Sequence, residues 1–129
     1  MTPARETSDT ASATRRTLDE YFRLLKNRED WTLLLADDVQ LVNHAGPGRR
    51  IQGRNAVVEG TRGFYGMITA VLVEEIIVDG ASACAFTHYR LQPPNGGPAF
   101  GSDVAERFRV RNGLIERFEI YFDTAPYPR

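Results

Sequence analysis

ITAVLVEEIIVDGASACAFTHYRLQPPNGGPAFGSDVAERFRVRNGLIERFEIYFD, residues 68–123, is the stretch that decides the fold. It is rich in the β-branched and aromatic residues that suit a pleated, half-buried surface. Turn chemistry interrupts it at Asp79-Gly80, at Pro93-Pro94-Asn95-Gly96-Gly97 and at Asn112-Gly113. These breaks predict four consecutive antiparallel strands, with tight hairpins at the two Gly-containing dipeptides. Upstream, the period changes from 2 to 3.6. Leu18, Tyr21, Phe22 and Leu25 share one face of a helix that spans about Thr14 to Asn27, with Arg15, Arg16, Asp19, Glu20, Arg23 and Lys26 opposite. Asp30 is placed to cap a second, short helix through about Ala36. VQLVNH then reads as a strand in which Val39, Leu41 and Asn43 alternate with Gln40, Val42 and His44, and it stops at a Gly46-Pro47-Gly48 loop. Gly53 to about Gly66 is spaced for a third helix, although Gly60 and Gly63 each cost it about 1 kcal/mol against Ala.

Helices first and strands after predict an α+β domain: three N-terminal helices packed on a strongly curved antiparallel sheet, enclosing a pocket. Residues 1–13 carry no apolar period and read as a mobile tail, so the domain is expected over 14–129. Composition excludes several functions. With 129 residues, 42% apolar and 26% charged, the chain has the profile of one globular domain. Sixteen basic against seventeen acidic residues leave a net charge of −1, so neither nucleic acid nor an anionic membrane is expected as a partner. The single Cys84 leaves no disulfide framework and no multi-cysteine zinc site, and reads as a small buried hydrophobe. No apolar run approaches the ~20 residues of a membrane span, and Met1 to Thr14 lacks the apolar stretch of a signal peptide, so a cytoplasmic protein is expected. No phosphate-cradling loop, no GxSxG elbow and no metal spacing of the two histidines is present; neither cofactor nor metal is expected.

The order of elements, with LLADDVQLV (34–42), GPGRRIQGRNAV (46–57) and RFRVRNGLIERFEIYFD (107–123), resembles the SnoaL-like branch of the nuclear transport factor 2-like superfamily over roughly residues 14–126. The resemblance implies a cone-shaped fold with a deep, mostly apolar cavity, and commonly a homodimer formed through the sheet. The same fold hosts ketosteroid isomerases, polyketide cyclases, limonene epoxide hydrolases, scytalone dehydratases and binders without chemistry, so function rests on individual positions.

Tyr21 falls where ketosteroid isomerases place an oxyanion-hole tyrosine; its phenol either donates to a substrate oxygen or packs with Leu18 and Leu25. His44 falls where those enzymes carry their general-base aspartate, and an imidazole keeps a base there; otherwise it is a half-exposed loop histidine. Asn43 is expected to point the other way and tie down the loop. Val104 occupies the place of the protonated aspartic acid of ketosteroid isomerases, while Asp103 faces the opposite side unless a bulge turns it. Glu106, between Val104 and Phe108, shares their direction; inside an apolar cone its carboxyl would be driven up by desolvation, and outside it would form a surface or interface ion pair. His88 shares a face with Phe86, and the pattern leaves the direction of that face open. Phe118, Ile120 and Phe122 form a period-2 cavity wall, with Ile120 where cyclases and epoxide hydrolases keep an aspartate. Asp123 falls off that parity and caps the following turn. Trp31 is most economically core, and Trp31 and Phe64 are also assigned to the pocket lining.

Two readings follow. One is a cofactor-independent enzyme transferring protons on a hydrophobic carbonyl or polyketide-like compound, with His44 as base, Tyr21 as donor and Glu106 or His88 as the second polar group. The other is a non-catalytic pocket for an apolar small molecule, or a dimeric interaction module.

Overall fold

A computed structural model of the chain describes residues 3–45 and 49–128. The elements in chain order are helix α1 (Pro3–Lys26), a single 3-10 turn (Trp31–Leu34), strand β1 (Leu35–Asn43), β2 (Arg49–Gln52), helix α2 (Arg54–Met67), β3 (Ile68–Asp79), β4 (Ser82–Leu91), β5 (Phe100–Arg111) and β6 (Leu114–Phe122). The four C-terminal strands form as read. Asn112 and Gly113 turn the last hairpin with φ of 53° and 76°, the left-handed pair that a tight hairpin requires and Asn-Gly supplies.

Two readings of the N-terminal half are corrected, and one strand is added. The structure has two α-helices, not three: Asp30 does cap a turn, accepting from the Thr32 amide at 3.0 Å, but the turn ends at Leu34. From Leu35 the backbone is extended, because Leu35 pairs with Ile115 on β6 and both are fully buried there. The residues read as a tail, 3–13, are helical. Pro3 suits the first position of a helix, and Thr14 is almost wholly buried with its hydroxyl 2.7 Å from the Gly80 carbonyl, so α1 does not stop at that point. Strand β2, only four residues long, falls between the Gly46-Pro47-Gly48 loop and the helix read from Gly53, a stretch to which the sequence assigns no element. The Gly46-Pro47-Gly48 loop itself lies outside the described residues.

The six strands form one curved sheet in the order β2-β1-β6-β5-β4-β3. The sheet is mixed rather than wholly antiparallel, since β1 runs parallel to β6. Helix α1 lies over β3, β4 and β5, and α2 over β1 and β2. Residues paired across a sheet share a face, so the registers define rows that cross it. One inward row runs Arg49, Asn43, Ile120, Glu106, Ala85, Ile76; the next runs Ile51, Leu41, Phe118, Phe108, Ala83, Val78. The core fills the space between α1 and the second row, around Leu18, Tyr21, Phe22, Leu25 and Phe108. Among the described residues, no helix is long and apolar enough to cross a membrane.

Candidate active site

Under α2 the inward rows leave a cavity of about 110 Å³. Its apolar wall is built from Leu41 on β1, Ile51 on β2, Phe64 on α2, Val104 on β5 and Phe118, Ile120 and Phe122 on β6. Five of the residues assigned to the lining therefore line it: Phe64, Val104, Phe118, Ile120 and Phe122. The volume is below the ~150 Å³ of an engineered apolar cavity that takes benzene, and far below the ~300–1,000 Å³ of pockets for drug-sized ligands. A wider open groove of about 500 Å³ runs past the end of α1 and the start of β3, but its charged side chains Lys26, Arg28 and Glu29 are exposed.

Glu106 lines the cavity with only 3% of its surface exposed. Tyr89 Oη donates to Oε1 at 2.7 Å and Thr87 Oγ1 to Oε2 at 3.1 Å. Both donors are neutral, so they offset only part of the desolvation, and burial pushes the carboxyl up to about 7. Such a group exchanges a proton near neutral pH. Beside it on the wall stands Tyr65, whose hydroxyl is 2.5 Å from that of Tyr21. Burial pushes both phenols well above their ordinary range, so both keep their protons. When Tyr21 donates to Tyr65, the Tyr65 hydrogen is left for a molecule in the cavity.

Tyr21 does not reach the cavity itself. It is 1% exposed and packs edge-on against Phe22, Trp31 and Phe108. Phe108 is core beneath the wall, and Trp31 packs 4.2 Å from the Tyr65 ring on the side of the open groove, so neither lines the cavity.

The structure does not bring His44 to Glu106. His44 follows β1 on the other face of the sheet, where its Nε2 is 2.9 Å from Glu119 Oε1 and its ring stacks on Tyr121 at 4.3 Å. The reason is parity: Asn43 pairs with the inward Ile120, so its neighbour turns outward. Asn43 accepts from the Ala45 amide at 2.9 Å, tying the loop as expected, but it also lines the cavity, contrary to its expected direction. His88 and Phe86 are likewise on the outer face, His88 with its Nδ1 2.8 Å from Asp103 and Phe86 40% exposed, so neither belongs to the wall. Asp103 faces outward as expected. Asp123 accepts from the Ala125 amide at 3.0 Å, the turn-capping role read from the sequence.

Arg49, Thr61 and Tyr65 line the cavity without having been singled out from the sequence. The Thr61 hydroxyl is spent on the Val57 carbonyl at 2.7 Å. A helical spacing of Thr61, Phe64 and Tyr65 was the available signal for Tyr65; Arg49 had none, since β2 was not recognised. Among the described residues no three His, Cys, Asp or Glu side chains come together as a metal ion would need.

Comparison with known proteins agrees with this architecture. The model of the SnoaL-like domain matches residues 18–118. No curated protein matches the sequence. Among solved structures, a candidate SnoaL-like polyketide cyclase from a Jannaschia species is similar over 100% of this chain and 98% of its own, at 14% identity and a TM-score of 0.75. A nuclear transport factor 2-like protein of unknown function from Burkholderia pseudomallei shares 24% identity over 88% of this chain and 92% of its own, TM-score 0.73. A candidate ketosteroid isomerase from Kribbella flavida shares 23% over 92% of this chain and 84% of its own, TM-score 0.68.

Proposed function

The chain belongs to the SnoaL-like domain family, and we propose that it is a small-molecule enzyme that moves protons by acid–base chemistry on a hydrophobic carbonyl compound. One observation carries the reading: a carboxyl pushed up to about 7 on the wall of an apolar cavity. Glu106, as carboxylate, takes a proton from the carbon beside the carbonyl. Tyr65, held by Tyr21, donates to the oxygen as negative charge develops on it. The protonated Glu106 then returns the proton to another carbon, or to a departing group, which covers isomerisation and dehydration; attack of the enolate within the same molecule gives cyclisation. The base in this reading is Glu106 rather than His44. Solved relatives named for polyketide cyclase and ketosteroid isomerase activities support the reaction class. The cavity volume, below that of a cavity enclosing benzene, argues for a substrate of at most about one ring, part of which stays at the mouth.

The half-reaction can be tested without knowing the product. Exchange of the α-hydrogens of cyclohexanone into D2O, followed by NMR, is expected to be accelerated by the protein, with a rate that rises through pH 7 as Glu106 ionises. Glu106→Gln keeps the partners Tyr89 and Thr87 and should slow exchange by about 100-fold or more. Exchange no faster than in buffer, from a protein that binds the ketone, would replace the enzyme with the second reading, a non-catalytic binder. That alternative is favoured by Val104 and Ile120, apolar residues at positions where the family's enzymes keep acids. The partner expected in either case is a second copy of the chain, docked through the outer sheet face, where Leu72, Ile77, Phe86 and Tyr121 are 40–59% exposed. Sedimentation equilibrium tests it.

A further inference from the structure

The inward row that begins at Arg49 passes through Asn43 and Ile120 to Glu106, and these four differ in chemistry: guanidinium, carboxamide, aliphatic chain, carboxyl. All four line the same cavity. The order gives the cavity a polarity. Glu106 is almost fully buried and marks its closed end, while Arg49 is exposed and marks its mouth. Backbones of adjacent strands are ~4.8 Å apart, so three spacings put the two ends about 14 Å apart along the sheet before the long side chains reach toward each other.

The mouth presents donors whose hydrogens are unclaimed among the described residues. Arg49 pairs with no carboxylate among the described residues, whereas Arg107, Arg109, Arg111 and Arg117 on the outer face all lie within ion-pair distance of Glu116, Glu119 or Asp38. Asn43, directly across from Arg49 in the register, uses its side-chain oxygen on the Ala45 amide, and its NH2 group has no acceptor among the described residues. A planar guanidinium beside a carboxamide NH2 matches the two oxygens of a carboxylate. Ile120 then offers an apolar floor between that anchor and the proton-transferring group.

We infer that the cavity takes a small carboxylic acid, its carboxylate held at the mouth by Arg49 and the Asn43 amide, its apolar body on Ile120, and its reacting end at Glu106. The inference rests on the reading of this cavity as the ligand site but not on catalysis. An anchored carboxylate fixes which carbon faces Glu106, and it keeps the ligand's negative charge three strands away from the buried carboxyl. A neutral molecule of the same shape lacks the anchor and slides.

Benzoate and benzamide differ in this one respect, and each leaves its polar group at the mouth while only the ring enters. Isothermal calorimetry on the full chain is expected to give benzoate about tenfold the affinity of benzamide. Arg49→Gln should remove the preference by weakening benzoate alone, and Arg49→Lys, which keeps the charge but not the fork, should retain part of it. Bound benzoate should show nuclear Overhauser contacts from its ring to Phe118 and Phe122. Equal affinities in the wild type, a preference that survives Arg49→Gln, or benzoate without contacts to those rings overturns the inference and leaves the cavity's catalytic reading standing. Failure of both probes to bind overturns the inference together with the reading of the cavity as a ligand site.

Discussion

Glu106 and Glu119 sit on adjacent strands, one register row apart, on opposite faces of one sheet, and both are more than nine-tenths hidden from solvent. Their surroundings send them in opposite directions. Glu106 meets two neutral hydroxyls in an apolar cavity, and burial pushes its carboxyl up to about 7. Glu119 meets His44 at 2.9 Å and the guanidinium groups of Arg117 at 3.4 Å and Arg107 at 3.6 Å, and these hold its carboxyl below the ordinary range, the His44 hydrogen bond contributing most. Burial alone thus does not make a proton-transferring carboxyl; burial without cations does. The outer face uses its carboxylate as a fixed charge that organises three basic side chains, and the inner face keeps one poised to change charge.

The contrast predicts two opposed pH dependences of stability. Glu106 has a folded-state pKa above its ordinary 4.5, so the folded state binds more protons than the unfolded state between pH 4.5 and about 7. Its contribution is complete below pH 4.5 and is lost as pH rises through about 7. At about 1.4 kcal/mol per tenfold change in proton affinity, the loss is about 3 kcal/mol from a shift of 4.5 to about 7. Denaturant titrations of wild type at pH 5 and pH 8 should show it, and Glu106→Gln should flatten the difference. Identical slopes in the two proteins would mean that Glu106 ionises as an ordinary carboxylate, and the comparison would collapse.

Glu119 works with the other sign. Its folded-state pKa lies below 4.5, so its contribution is present above pH 4.5 and is lost as pH falls through the lower folded value. Glu119→Gln should cost about 2 kcal/mol at pH 7, the order of a buried hydrogen bond to a charged group, and should remove the acid limb from the stability profile. His44→Ala should have a smaller effect, about 1 kcal/mol, from the lost hydrogen bond and the lost stacking on Tyr121. Its expected effect on proton exchange is less than about threefold, against the 100-fold expected for Glu106→Gln. A loss comparable with that of Glu106→Gln would return His44 to the site and void the division of labour between the faces.

How far the sequence carried this division depends on the residue. Turn pairs and period-2 runs were enough for the C-terminal hairpins, because Asn-Gly and β-branched alternation act locally. Alternation gave Glu106 the direction of Val104 and Phe108 but left open whether that side was the cone or a surface ion pair; the cavity under α2 decides for the inside, where desolvation drives the carboxyl up. At His44 the family position and the parity of VQLVNH disagree, since Asn43 shares the apolar side with Val39 and Leu41, and the fold follows parity. Arg49 was out of reach because a four-residue edge strand has too few residues to show a period, and its partner β1 is itself set by a parallel pairing with a strand nearly eighty residues away. Leu35 and Ala36 were misread as helix because four apolar residues in a row fit either period, and only the pairing with Ile115 decides.

The inner-versus-outer contrast extends to helix α2, whose interior holds two glycines that its helical propensity would disfavour equally. A Cβ built at Gly60 would stand 2.6 Å from Ile51 Cδ1, while one at Gly63 meets nothing within 4 Å. Gly63→Ala should therefore gain the helix term alone, about 1 kcal/mol, with cavity ligands bound as before. Gly60→Ala gains the same term but must push the end of the Ile51 side chain aside, and Ile51 lines the cavity. Its net stability change should lie near zero, and its affinity for benzoate should fall severalfold as the displaced methyl enters the space. Thermal melts and calorimetry on the two variants separate the cases. Two glycines that behaved alike would mean that α2 does not bound the cavity closely enough to shape it. A neutral melt with weakened binding at Gly60 alone would show that this glycine is kept for the room it leaves beside Ile51 in the cavity wall and not for the helix.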